Sequence, residues 1–251
     1  KAFVVAGIGM LVDRGMMKTS DTIAEIFPEE VAAVADESIR EHWKNTTVHP
    51  CKNAIIRNNT LRRCGDWGIL LIWVDNVKVY DNVSKAAVGT FLSIGCSNME
   101  VKRNVLEGSK KGFEISQEFY KIENGINANI IVEDNDIIAM PRDNGRGALD
   151  IRHSKGIQVR NNRISCLNRF QSACISIASS QNVIIEDNQF SAKTEIDYRF
   201  IIDDVVDPET KMSHPELDVK NVYVKGNIYK NISKLNFIKV KEFSSRNCNI
   251  E

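Results

Sequence analysis

The sequence has no surplus of charge, since 33 Lys and Arg balance 33 Asp and Glu. That balance removes the basic field with which a protein attracts nucleic acid or an anionic membrane, so neither partner is expected. No apolar run approaches the roughly 20 residues needed to span a bilayer. The opening Lys1-Ala-Phe-Val-Val-Ala is too short for a signal peptide, and the chain starts without Met, so a mature or trimmed form is expected. The six cysteines, at 51, 64, 96, 166, 174 and 248, contain no CxxC spacing. Most are flanked by strand-like sequence and read as buried free thiols behaving as small hydrophobes, with one or two disulfides as the alternative. The four histidines, at 42, 49, 153 and 214, sit in no ligand pattern, so a zinc site is not expected.

What the chain does have is a repeat. Residues 147–162, GALDIRHSKGIQVRNN, read as two short strands joined by a small turn. In the first, Leu149 and Ile151 alternate with Asp150 and Arg152, one pair on each face. The second ends Ile157-x-Val159-x-x-Asn162, and that ending recurs along the chain. Asn59, Asn82, Asn104, Asn135, Asn188 and Asn227 each follow two apolar residues in the same frame, such as Val77/Val79 and Val222/Val224. The steps between these asparagines are 23, 22, 31, 27, 26 and 39 residues. A second alternating strand usually precedes each by eight residues, as in Ile69/Leu71, Phe91/Ser93 and Ile175/Ile177. A unit of little over twenty residues, built from short strands with a fixed Asn, is a solenoid signature. The leucine-rich frame is absent, and a propeller blade is about twice as long. Ahead of the repeat, Ala2 to Val12 suits a buried strand pair. Pro28-Glu29-Glu30 starts an amphipathic helix over 28–43 within a helical insertion at about 16–47.

The repeat resembles the right-handed parallel β-helix family, the fold of pectate lyases, polygalacturonases, other glycoside hydrolases and phage tailspikes. The resemblance covers about 50–240, with 1–13 as an earlier coil, and implies a single all-β domain over 1–251. In such a fold coils stack at about 4.8 Å, so equivalent residues form columns. The recurring asparagines are then scaffold, hydrogen-bonded along their column and placed where the chain turns through left-handed backbone.

Longer steps mark insertions, which map to loops, often around a binding face. They fall at 117–128, 139–146 and 191–220. Between them, the outward positions of the upstream strand change character. Leu70, Ile72, Leu92 and Ile94 give way to Glu114 and Ser116, then Asp150 and Arg152, then Ser176 and Ala178. The apolar part needs a cover, for which the helix at 28–43 is the candidate. The polar part reads as a cleft. Glu114 and Asp150 are expected one coil apart with Arg152 alongside, and Asp203 or Asp204 about two coils further on. Paired carboxylates whose pKa values are driven apart supply the acid and base of glycosidic hydrolysis. The catalytic candidates are therefore Asp150, Asp203, Asp204 and Glu114. Arg152, His153, Ser176, Tyr120 and Tyr198 are the substrate-binding candidates. Trp67 and Trp73 read as packing under the N-terminal helix in preference to sugar platforms.

Within the family, Asp203-Asp204 matches the DD pair of polygalacturonases, whereas their GHG and RIK motifs and the DPHD of alginate epimerases are absent. Glu114, Asp150 and Arg152 are a loose analogue of the acids and Arg base of pectate lyases. The resemblance implies an oligo- or polysaccharide partner and a secreted, periplasmic or cell-surface location. Glycoside hydrolysis without a cofactor leads. A Ca²⁺-assisted lyase on a uronic-acid polymer follows, and then a non-catalytic binding or structural solenoid, where a trimer is expected. The short length for such an enzyme also allows a fragment.

Overall fold

The computed structural model describes residues 51–116, 126–139, 147–166, 173–203, 218–238 and 246–251, with Ala32 and Glu37 alone before them. Those two are helical; the rest of the helix at 28–43, and the coil expected over 1–13, lie outside the described residues. From Cys51 onward the chain winds into a parallel β-solenoid, a right-handed β-helix with three strands to a coil. The first sheet stacks Val74–Tyr80, Ser97–Lys102, Asn127–Glu133, residues 154–160 and 180–186, and Lys220–Lys225. The second stacks Thr60–Cys64, Val83–Ala86, Val105–Gly108, Asp136–Ala139, Arg163–Cys166 and the start of Gln189–Asp203. The third stacks Ile69–Ile72, Phe91–Ile94, Phe113–Ile115, and residues 147–152, 173–178 and 198–203.

Period-two alternation sends one face of every strand inward, and in-register stacking turns that face into columns. Leu71, Ser93, Ile115, Ile151, Ile177 and Ile202 form one such column. Phe91 and Phe113 stack beside it with centroids 4.6 Å apart. Ser93 is the exception. Its hydroxyl is fully buried and has no partner among the described residues. Ser93→Ala is therefore expected to raise stability by about 1 kcal/mol, read as a higher midpoint in urea at unchanged slope.

The asparagine column is continuous. Each amide from Asn59 to Asn188 donates to the Oδ1 of the next asparagine at 2.9 Å. The same Oδ1 accepts the backbone N–H of the residue before it in the ladder, and the second amide hydrogens go to strand carbonyls. The left-handed residue, however, is not the ladder asparagine. It is the one before it: Asn58, Asp81, Arg103, Asp134, Asn161, Asp187 and Gly226 all have φ between 53° and 64°. The ladder residue keeps ordinary backbone so that its side chain can point inward.

A second asparagine column lies near the start of the first-sheet strands. Asn53, Asn76, Asn98, Asn129, Asn182, Asn221 and Asn247 are left-handed there. Their amides pair along the outside, as in Asn76 to Asn53 at 2.6 Å and Asn221 to Asn182 at 2.7 Å. Here the left-handed conformation falls on Asn, with Gly in one coil, the residue types that adopt it at least cost. Gly156, φ 71°, replaces Asn in one coil.

Outward positions of the first sheet carry charges that alternate in sign from coil to coil: Lys102, Glu133, Arg160, Glu186 and Lys225. Glu133 lies 2.7 Å from Arg160 and 3.3 Å from Lys102. Burial raises its pKa, but hydrogen bonds from those two cations outweigh burial and hold it below the usual carboxylate value. Glu100 is lowered too, first by Lys102 and then, against burial, by Tyr80. A carboxylate lowered in the fold contributes stability at neutral pH that is lost on acidification. The urea midpoint is expected to fall as pH drops through about 4, with a shallower fall in Glu133→Gln.

Two expectations change here. Residues 147–160 form one unbroken strand, Gly147–Arg160, whose halves in the third and first sheets meet at a left-handed bend at His153, so the two short strands are joined without a separate turn. The stretch read as a loop from 191 begins as strand. Gln189–Asp203 pairs in parallel with the coils on both sides and absorbs its extra residues as register shifts. On the outer face, Leu92 and Ile94 are buried with Trp67 packed on them, which makes Trp67 a packing residue, while Leu70 remains exposed.

Candidate functional site

On the outer face of the third sheet one column runs Leu70, Leu92, Glu114, Asp150, Ser176, Ile201. Three polar residues interrupt an apolar series, in consecutive coils about 4.8 Å apart. The neighbouring column places Arg152 beside Ala178, and Ala178 beside Asp203. The strand register thus joins Glu114, Asp150, Arg152 and Ser176, with Asp203 two coils beyond Arg152, as the alternation predicts.

The contacts are specific. Arg152 Nε donates to both carboxylate oxygens of Asp150, at 2.9 and 3.1 Å. Ser176 Oγ donates to Asp150 Oδ1 and accepts the Gly147 N–H at 2.8 Å. Gly147 is required there, because a Cβ on it would stand 2.6 Å from the Ser176 nitrogen. The sequence reading missed Gly147; its only signal is its position at the end of the 139–146 interruption.

Burial is the unexpected property. Glu114 and Ser176 are 1% exposed and Asp150 is 0% exposed, whereas the Arg152 side chain keeps 20%. Desolvating a carboxylate costs several kcal/mol even when it is paired. Leucine and isoleucine occupy the same column in neighbouring coils, so the scaffold has no need of the polar residues. A cost accepted against an available apolar alternative makes this column the candidate site.

The other candidates fall as follows. His153, a substrate-binding candidate, is half-buried at the left-handed corner. Asp203 is half-buried at the end of its strand. Tyr198 sits in register between Ala173 and Leu235. Tyr120 and Asp204 lie outside the described residues. Asp150 is committed to Arg152 and Ser176, and among the described residues no group of three or more His, Cys, Asp or Glu is placed to hold a metal.

No family model and no curated sequence matches the chain. Two solved structures resemble it, both A-modules of mannuronan C-5 epimerases from Azotobacter vinelandii. That of AlgE6 superposes with a TM-score of 0.56 at 16% identity, over 74% of this chain and 51% of its own. That of AlgE4 gives 0.40 at 12% identity, over 76% and 58%. The chain thus spans about half the length of the AlgE6 module. The AlgE6 likeness, with the stacked parallel coils and the asparagine ladder, makes this protein a member of the right-handed parallel β-helix fold.

Proposed function

We propose that the protein is a polysaccharide-active β-helix that takes its substrate across the outer face of the third sheet, and that its reaction is glycoside hydrolysis. The observation that carries this reading is the Glu114–Asp150–Ser176 interruption of an apolar column, with Arg152 anchored beside it. Carboxylates on adjacent coils are spaced about 5 Å apart at the backbone, which suits the close pair of retaining glycosidases. Glu114 serves as proton donor to the leaving oxygen. Asp150, held by Arg152 and Ser176, is the nucleophile of the pair. It takes the sugar as the leaving group departs with the proton from Glu114, and a water deprotonated by Glu114 then releases the sugar. Arg152, its tip toward solvent, clamps a substrate hydroxyl or carboxylate. Asp203 and Asp204 hold the far end of the site, with Tyr120, Tyr198 and His153 as sugar contacts. Because both carboxylates are buried, catalysis requires this face to open. A polymer substrate places the protein outside the cytoplasm, secreted, periplasmic or at the cell surface.

One observation favours a second reading. An arginine held in place by a buried carboxylate is well built to bind the carboxylate of a uronic-acid polymer, and the AlgE6 neighbour is an enzyme named for mannuronan. A lyase of this kind would leave unsaturated ends. Mass spectrometry of products from a panel of neutral and uronic polysaccharides decides between them. Fragments carrying one added water support hydrolysis, and unsaturated fragments without water support the lyase. Polymer that is retained but unchanged, with and without calcium, overturns both and leaves a binding or structural solenoid, for which a trimer in light scattering would be the companion result.

A further inference from the structure

We propose that Cys166 and Cys174 form a disulfide, a covalent staple between the end of the second sheet and the start of the third that fixes the strand bearing Ser176. This inference stands apart from the proposed reaction and does not depend on it. The two sulfurs already touch, Sγ to Sγ, at 3.8 Å, both buried inside the coil. Closing to the bonded distance of about 2.05 Å is a displacement of under about 2 Å, within reach of side-chain rotation. Cys96 points its sulfur at the Leu71 and Ile94 carbonyls, and Cys64 and Cys248 lie in the first and last described coils.

The surroundings argue that the pairing is specific. Cys166 stands in register between Ala139 and Ala192, in a column where alanine is the neighbouring choice. Cys174 falls between Ala148 and Arg199, by the pairing of its flanking residues. Ala139 and Ala192 beside Cys166 and Ala148 beside Cys174 leave room for the two thiols to face each other. Eight residues separate them, and Ser176, which holds Asp150, follows Cys174 by two.

The chemistry is thiol–disulfide exchange with a small-molecule disulfide as oxidant. One protein thiolate attacks it, forming a mixed disulfide and releasing one small thiol. The second protein thiolate then displaces the other. Two protein thiols are oxidised, one small disulfide is reduced to two thiols, and the two protein protons end on those leaving thiols. Burial, and then the neighbouring Cys166, raise the Cys174 thiol well above its usual pKa, so exchange belongs to the folding chain, before the corner closes.

The test refolds the reduced, unfolded chain with a mixture of oxidised and reduced glutathione, and in parallel with dithiothreitol, then alkylates and maps the peptides. The expected result is a peptide linking Cys166 to Cys174, lighter by two hydrogens, and a Tm about 5 °C above that of the reduced protein. Cys166→Ala, matching its alanine neighbours, should remove both the link and the shift, and Cys174→Ala should do the same. A cooperatively folded protein with both cysteines alkylated, or with either bonded elsewhere, overturns the proposal. So does a linked protein whose Tm is unchanged.

Discussion

Glu114→Gln is expected to lower the rate of polysaccharide cleavage by about 10²–10⁴-fold, the range lost when a positioned acid is removed. The substitution keeps shape and one acceptor oxygen, and Glu114 takes its register position between Leu92 and Asp150 whatever its charge. Asp150→Asn should differ in kind. It retains an oxygen for Ser176 but deprives Arg152 of its anion, and leaving one member of a buried pair uncompensated costs roughly 3 kcal/mol. That variant should therefore lose both activity and stability, where Glu114→Gln loses mainly activity. Initial rates on the cleaved polymer, with thermal unfolding of each variant, separate the two. An unchanged rate in Glu114→Gln would remove the carboxylate pair from the reaction.

Asn135→Ala is expected to destabilise the protein by more than about 3 kcal/mol. Asn135 Oδ1 accepts both the backbone N–H and the side-chain amide of Asn104. Its own amide donates to the Val101 and Glu133 carbonyls and to Asn162 Oδ1. Truncation removes all five of these hydrogen bonds, leaves the Asn104 backbone N–H without its acceptor and opens a cavity in the ladder; a buried group left unpaired costs about 1–3 kcal/mol. Asn59, at the exposed start of the described ladder, donates to Asn82 and to the Arg57 carbonyl, and its Ala variant should cost about 1 kcal/mol. Urea unfolding of the two proteins measures the contrast. Equal losses would mean that the asparagines act singly, not as a chain of polarised bonds.

The sequence by itself determined the fold, because a solenoid writes its geometry as a period. The spacing of Asn59, Asn82, Asn104, Asn135, Asn162, Asn188 and Asn227 is the spacing of coils, and the alternation of Leu149 and Ile151 with Asp150 and Arg152 assigns the faces. The neighbourhood of Glu114 and Asp150 followed from those two rules. A second column, Asn76, Asn98, Asn129, Asn182 and Asn221, stood in the same frame one residue before each apolar pair. It was legible and went unread, because the inward ladder masked the outward one. The left-handed residue before each ladder asparagine carried a signal in its type, being Asn58, Asp81, Asp134, Asn161, Asp187 or Gly226, with Arg103 the exception.

Tertiary structure alone decided the rest. Alternation says that Asp150 points outward, but not that the outside is covered, and so the burial of Glu114, Asp150 and Ser176 had no signal in the sequence. Nor could eight residues of separation reveal that Cys166 and Cys174 meet across a corner. The same holds for residues 189–203, where length read as a loop is taken up by strand with shifted register. Periodicity encodes what repeats from coil to coil. Cover, corners and irregular pairing depend on contacts between segments whose separation in sequence obeys no period, and those are fixed only when the chain folds.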